Sequence, residues 1–437
     1  MKKLAVIFSF CSLTFVVWSQ PGNHYGTLTR LYIDGEYAAL KGVIRAALKE
    51  GEETQDVWFF YGKTYEALFD FDSARLCYER ALIFDSTDLG ILNSLASVYV
   101  SKRNFNKASE IYQKILAINP EYSDAKINLA NLFMRMDKDI RAKEIFGRLV
   151  SADTTNSYFL SQLATCYYNL DNHDSAIYWY EKSLQLNPED YLTVTRLSNL
   201  YIRHGAMKKG LFITDKYLQF DSLNVQVLKL NAYIYFLTGN YNEASVRYKK
   251  SCALGDSSFT VMKYLGLSCY QKEDMYLAAG YLDTAYHIDT TDMETCLYLG
   301  ISTGWTMDKQ KGIGYLKKTL DMIFPADELV VRIYREIGDL YMAWSKPTDA
   351  IPYYMKILEY ETDNRLVLYK LGNSYEYVDK GKALEWYNDF MKTRDPDAKP
   401  VTVDSEGFKV VSYYDIAERK IKELKEELFF EGKLKKK

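Results

Sequence analysis

Proline is scarce in this chain, with 8 in 437 residues. A proline inside a helix removes a hydrogen bond and clashes with the preceding turn, so a chain this poor in it can be helical nearly throughout. Histidine is scarcer, with 4. None of His24, His173, His204 and His287 pairs with another at metal-ligand spacing. No phosphate loop, GxSxG elbow or HExxH segment occurs, and the carboxylates are scattered rather than gathered. Catalysis needs convergent titratable groups, so these absences argue against an enzyme and leave no metal or cofactor to expect. Neither sign of charge dominates, with 55 Lys+Arg against 58 Asp+Glu and a net charge of -3. The basic stripe that nucleic acid demands is missing. No CxxC pair is present. Beyond the N-terminal run, Cys77, Cys166, Cys252, Cys269 and Cys296 stand far apart. An odd number leaves at least one thiol unpaired, and buried thiols packing as small apolar side chains are expected.

The one strongly apolar run is N-terminal. Lys2 and Lys3 precede residues 4–18, which are apolar apart from Ser and Thr, and Val17 and Ser19 are small enough for cleavage before Gln20. The run is short for a bilayer span and has the layout of a secretory signal peptide over residues 1–19. The expected destination is the periplasm or cell envelope of a bacterium, with no transmembrane span after cleavage.

Tyrosine, by contrast, is abundant at 39, and much of it is periodic. Trp58, Tyr61, Gly62, Tyr65, Ala74, Tyr78 and Ala81 open a pattern that returns every 34 residues. From Gly62 it meets Ala96, Ala130, Ala164, Ser198, Ala232, Gly266 and Gly300. After a four-residue insertion near Pro325 it meets Gly338 and Gly372. Every one is small. From Tyr65 it meets Tyr99, Phe133, Tyr167, Tyr201 and Tyr235, lapses at Cys269 and Thr303, and returns at Tyr341 and Tyr375. Ala74 is echoed by Ala108, Ala142, Ala176, Gly210, Ala244, Ala278, Gly312 and Ala350, then by Ala383 after a one-residue deletion. Tyr78 is echoed by Tyr112, Phe146, Tyr180, Tyr248, Tyr354 and Tyr387. Two helices per unit are implied. Small residues at the eighth and twentieth positions let the backbones approach, and aromatics at the eleventh and twenty-fourth fill the space between. One such pair cannot bury its apolar face alone, so neighbours must stack. Asp72, Asn106, Asp174, Asn242 and Thr348 are placed to cap the second helices.

This register, kept over hundreds of residues, resembles the tetratricopeptide repeat family, though only Pro120 and Pro188 fill its closing-proline slot. The resemblance implies an all-α fold, a right-handed superhelical solenoid of about eleven helix pairs across residues 21–397. Units start near 21, 55, 89, 123, 157, 191, 225, 259, 293, 331 and 365. The first is degenerate, with Gly35, Glu36 and Tyr37 echoing Gly239, Asn240 and Tyr241. Residues 398–437 supply a linker and a C-terminal capping helix, with Ile416, Ile421, Leu424 and Leu428 on one stripe. Lys433 and Lys435, Lys436 and Lys437 form a solvated basic end.

The resemblance also implies that first helices line an inner, concave surface that binds a peptide or protein partner. A helical wheel places the second, fifth, sixth, ninth and thirteenth positions of each unit on that face. The middle units present Asn128, Asn131, Tyr158, Gln162, Arg196 and Asn199, whose amides suit a peptide backbone. The next units present Lys229, Tyr233, Lys263, Tyr264 and Tyr298, a mixture suited to an acidic or aromatic segment. Some family members clamp a C-terminal carboxylate. Asn131, Gln162 and Arg196 fall in three of the clamping places, but Ile127 and Leu192 fall where lysines belong, which argues against that capture. An exported interaction scaffold is therefore expected. The alternative is a structural subunit of an envelope secretion or outer-membrane assembly machine.

Overall fold

A computed structural model describes residues 24–323, 327–394 and 412–431. The signal-peptide segment, most of the linker and the basic end lie outside the described residues. Among the described residues there are 23 helices and no strand. Contacts divide the chain into two units, the first ending at Thr193 and the second beginning at Val194.

Unit 1 holds α1 (His24–Ile33), α2 (Tyr37–Lys49), α3 (Gln55–Ala67), α4 (Phe71–Phe84), α5 (Leu89–Ser101), α6 (Phe105–Ile118), α7 (Ser123–Arg135), α8 (Asp139–Ala152), α9 (Ser157–Asn169) and α10 (His173–Leu186). The boundary falls inside α11 (Tyr191–Arg203). Unit 2 continues with α12 (Met207–Phe220), α13 (Val225–Leu237), α14 (Tyr241–Ala253), α15 (Phe259–Gln271), α16 (Met275–Ile288), α17 (Met293–Thr306) and α18 (Lys309–Met322). It ends with α19 (Asp327–Ala343), α20 (Pro347–Tyr360), α21 (Arg365–Tyr375), α22 (Lys380–Lys392) and α23 (Tyr413–Phe430). Within each unit a helix packs on its sequence neighbours, and first helices also touch one another, as α5 does α7 and α15 does α17. Each unit is an all-α repeat solenoid.

The periodic residues close most of the helix pairs. A Cβ built on Gly62 would lie 2.5 Å from the Tyr78 ring, and one on Gly338 would lie 2.5 Å from the Tyr354 ring. Gly372 stands in the same relation to Tyr387, and Gly266 to Leu282. Where the small residue is Ala, as at Ala96, Ala130, Ala164 and Ala232, it is fully buried and the large partner is buried with it. The second small position is tighter still at Gly312, whose Cβ would meet the backbone of Gly304.

The turn inside each pair is also periodic. Gly35, Phe69, Arg103, Asp137, Asp171, Gly205, Gly239 and Glu273 all have positive φ, at one register position. Most are not glycine, so these turns hold strain of roughly 1 kcal/mol each. The next residue is the cap. Asp70 accepts from Ser73 N at 3.1 Å and Asn172 from Ser175 N at 3.1 Å, with Asn104 and Asn240 acting alike. The caps are thus not Asp72, Asn106, Asp174 and Asn242. The left-handed residue reverses the chain within one residue, so the second helix starts sooner than expected. Thr348 is likewise not a cap, because α20 starts at Pro347 after Lys346, whose side chain caps nothing. The inserted residues near Pro325 lengthen α19 to 17 residues, so it begins at Asp327 rather than near 331.

At the C-terminal end α23 packs on α22 through Ala417, Leu424 and Leu428, and a Ser412–Asp415 capping box fixes its start. All five cysteines of the described chain are free, and all but Cys252 are buried. Burial pushes the Cys77 and Cys166 thiols up to about 12.

Gly62→Val is expected to destabilise the protein by at least about 1–3 kcal/mol, because the buried Tyr78 ring has nowhere to retreat. Gly147→Ala, in α8 with open space around its Cβ, is expected to stabilise it by about 0.5–1 kcal/mol. Urea unfolding of the two variants checks both signs.

Candidate functional site

In unit 1 the first helices α3, α5 and α7 line a polar hollow of about 340 Å³. Lys63 and Glu66 come from α3, Asn93, Ser94 and Ser97 from α5, and Asn128, Asn131 and Arg135 from α7. The repeat produces this row, because residues at one register position on successive first helices stack side by side.

The amides form a ladder. Asn128 Nδ2 donates to Asn93 Oδ1 at 3.1 Å. One step on, Asn131 Nδ2 donates to the Tyr158 hydroxyl at 2.9 Å, and that hydroxyl donates back to Asn131 Oδ1 at 3.2 Å. Asn128 Oδ1 and Asn93 Nδ2 keep bonding capacity, so the ladder offers both an acceptor and a donor. That is what the backbone of an extended peptide needs. Beneath it, Glu66 accepts from the buried Tyr78 hydroxyl at 2.6 Å and from Lys63 Nζ at 3.4 Å. Burial, then the Glu66 carboxylate, pushes the Tyr78 phenol far up. On the floor, Tyr112 is raised to about 12, chiefly by burial. Core phenols thus fix the wall from below and stay protonated.

The expected residues separate into those that face solvent and those spent between repeats. Asn128 and Asn131 line the hollow, Tyr158 beside them is 42% exposed, and Gln162 is half-buried on α9. Arg196 and Asn199 are exposed on α11. In unit 2 the charged and aromatic set is largely consumed. Lys229 Nζ lies 2.8 Å from Asp256. Lys263 is only 8% exposed, with Nζ 3.0 Å from Asp292 and 2.9 Å from Glu294. It is a buried link between α15 and the start of α17 and does not offer a free cation. Tyr233 packs edge-on against Tyr264 at 4.9 Å, and Tyr298 against Tyr270 at 4.6 Å. The fifth position lies between neighbouring first helices, so a long cation there reaches the acidic N-terminus of the next one.

Lys63, Asn93, Ser97 and Arg135 were not singled out from the sequence, although they occupy the fifth, ninth and thirteenth positions of their units. The wheel therefore held the signal for them. Glu66 carried no such signal, because it is placed by the Tyr78 hydroxyl.

A family model described as the N-terminal TPR repeats region of Psidin matches residues 65–213. The chain is 28% identical over 166 residues to the protein O-mannosyl-transferase TMTC1 of Homo sapiens, covering 38% of this chain and 18% of that protein. It is 20% identical over 284 residues to the anaphase-promoting complex subunit CDC16 of Saccharomyces cerevisiae, covering 64% of this chain and 34% of that one. The chain thus spans about a third or less of the length of these relatives. A solved tetratricopeptide repeat protein from Parabacteroides merdae superposes with a TM-score of 0.43 at 18% identity, over 56% of this chain and 99% of the other. The family match supports the tetratricopeptide reading of the helix pairs.

The Lys229–Asp256 link predicts a pH response. Burial alone would raise the Asp256 carboxyl, but hydrogen bonds from Lys229 and Ser258 outweigh it and hold it down at about 2. A carboxyl lowered on folding stabilises the protein above its unfolded value and loses that contribution as pH falls through the folded one. Stability on the order of 2 kcal/mol is expected to vanish between pH 4 and about 2. Lys229→Met should flatten this part of the acid unfolding curve followed by circular dichroism.

Proposed function

We propose that the chain is an exported tetratricopeptide repeat protein that works as an interaction scaffold, holding an extended segment of a partner protein along the first-helix face of unit 1. The observation that carries this reading is the ladder Asn93–Asn128 and Asn131–Tyr158. It crosses several repeats with donors and acceptors still available, and it demands no particular side chain from what it binds. A short peptide held this way binds on the order of micromolar. The family match supports a protein-binding role. The match to a transferase covers 18% of that enzyme, and no transferase activity is proposed here.

A second reading has its own support. In unit 2, Lys229, Lys263 and the paired tyrosines are spent on rigid links between repeats. This suits a structural subunit of a stable envelope assembly. One relative is by name a subunit of a larger complex. The two readings differ in whether the partner exchanges.

A photo-crosslinking residue at Ser97 is expected to capture a partner in the envelope of the source cell. Adding Asn93→Ala and Asn128→Ala should abolish the adduct, while a crosslinker at the exposed Glu110 on α6 should give none. Equal capture from Ser97 and Glu110 would overturn the trough as the binding face. Export is tested separately: protein recovered from a secreting host should begin at Gln20 by mass spectrometry, and an intact Met1 would contradict it.

A further inference from the structure

The repeat gives an internal comparison for every charged residue, and one cation fails it. At the fifth position of the first helix, Lys229 and Lys263 are each neutralised at or just before the start of the next first helix, by Asp256 and by Asp292 with Glu294. Arg335 of α19 stands at the same position. The corresponding places around the start of α21 hold Thr362, Asn364 and Leu366, so the acids are missing. The carboxylates nearest along its own helix are already engaged. Asp339 accepts from Lys370 Nζ at 2.6 Å and from the Tyr354 hydroxyl at 2.6 Å. Glu336 accepts the indole N–H of Trp305 at 3.2 Å. Arg335 makes no hydrogen bond or ion pair with any described residue, and its Nε is sealed from solvent without a partner. A partly desolvated guanidinium with no counter-charge is costly, and a fold that places acids opposite its other cations at this position does not supply one here.

Arg332, one helical turn earlier and so on the same face, makes no described ion pair either. It donates to the Tyr270 hydroxyl at 3.4 Å and sits 5.4 Å from the centre of the Tyr298 ring. Trp305 on α17, beside them through Glu336, is 46% exposed. Arg332, held against the Tyr298 ring, and the unpaired Arg335 share one helix face, and a guanidinium matches a planar carboxylate, which it can meet with parallel N–H donors.

We propose that Arg335 and Arg332 form a binding site for the carboxylate side chains of an acidic peptide segment, on the first-helix face of unit 2. The missing acids of the repeat are then supplied by the ligand. This rests on the reading that first-helix faces hold partner segments, but it uses residues apart from the unit 1 trough.

Fluorescein-labelled octaglutamate and octaglutamine test it by anisotropy at low salt, with the chain from Gln20 onward. Octaglutamate is expected to bind and octaglutamine to bind at least tenfold more weakly. Arg335→Met should weaken octaglutamate about tenfold or more, and Arg335→Lys should restore part of the loss. The Tm of Arg335→Met should match or exceed that of the parent, since an uncompensated charge has been removed. Equal affinity of parent and Arg335→Met for octaglutamate would overturn the proposal, as would a lowered Tm with unchanged affinity. Displacement of octaglutamate by equimolar inorganic phosphate would also overturn it, by assigning the site to a free anion. Crosslinking from Ser97 is unaffected by any of these outcomes, so failure here and failure of the trough remain distinguishable.

Discussion

Most helix pairs depend on one close approach, in which a small residue at the eighth position leaves room for a ring or a leucine at the twenty-fourth. Gly62 under Tyr78 and Gly338 under Tyr354 are the tightest cases, with a virtual Cβ at 2.5 Å. Interiors are packed to crystal density, so this distance sets how near the two backbones lie. It thereby sets which faces remain for the next pair. The tyrosine rings do more than fill space. Tyr78, Tyr354 and Tyr387 send their hydroxyls to Glu66, Asp339 and Glu376 at the ends of the first helices. The core thus determines where these carboxylates stand on the first helices.

The two units use the same face for different ends. In unit 1 the first-helix row is mainly amides and hydroxyls, with Lys63, Glu66 and Arg135 beside them, and its amides keep bonding capacity to spare. In unit 2 the row is lysines, carboxylates and tyrosines, which satisfy each other across the repeat boundary. Lys263 between Asp292 and Glu294 shows the difference, being a cation at an inner-face position that the fold itself has claimed. A wheel assigns direction, but it does not say whether a neighbouring repeat reaches the side chain first.

That distinction marks how far the sequence could be read. The helix pairs, their spacing and their small-large closure were legible because packing repeats with the chain and leaves a period in residue size. Asn128 and Asn131 were legible for the same reason. The caps were misplaced by two residues, because the turn that sets them is fixed by a backbone angle at Phe69, Arg103 and Asp171, and side chains of such different kinds carry no mark of it. Lys263 and Glu66 were out of reach because their roles depend on partners in other helices, at distances that no single wheel contains.

The solitary thiols have a consequence for how this chain meets an oxidant. Cys77, Cys166, Cys269 and Cys296 sit in separate helix pairs, each enclosed, and burial keeps them as unreactive thiols. Once the helices have stacked, these four offer an oxidant almost nothing to seize. For these four thiols, exposure to wrong crosslinks is confined to the interval before the helices stack. Stacking relies on neighbours close in sequence, which is the arrangement that shortens that interval.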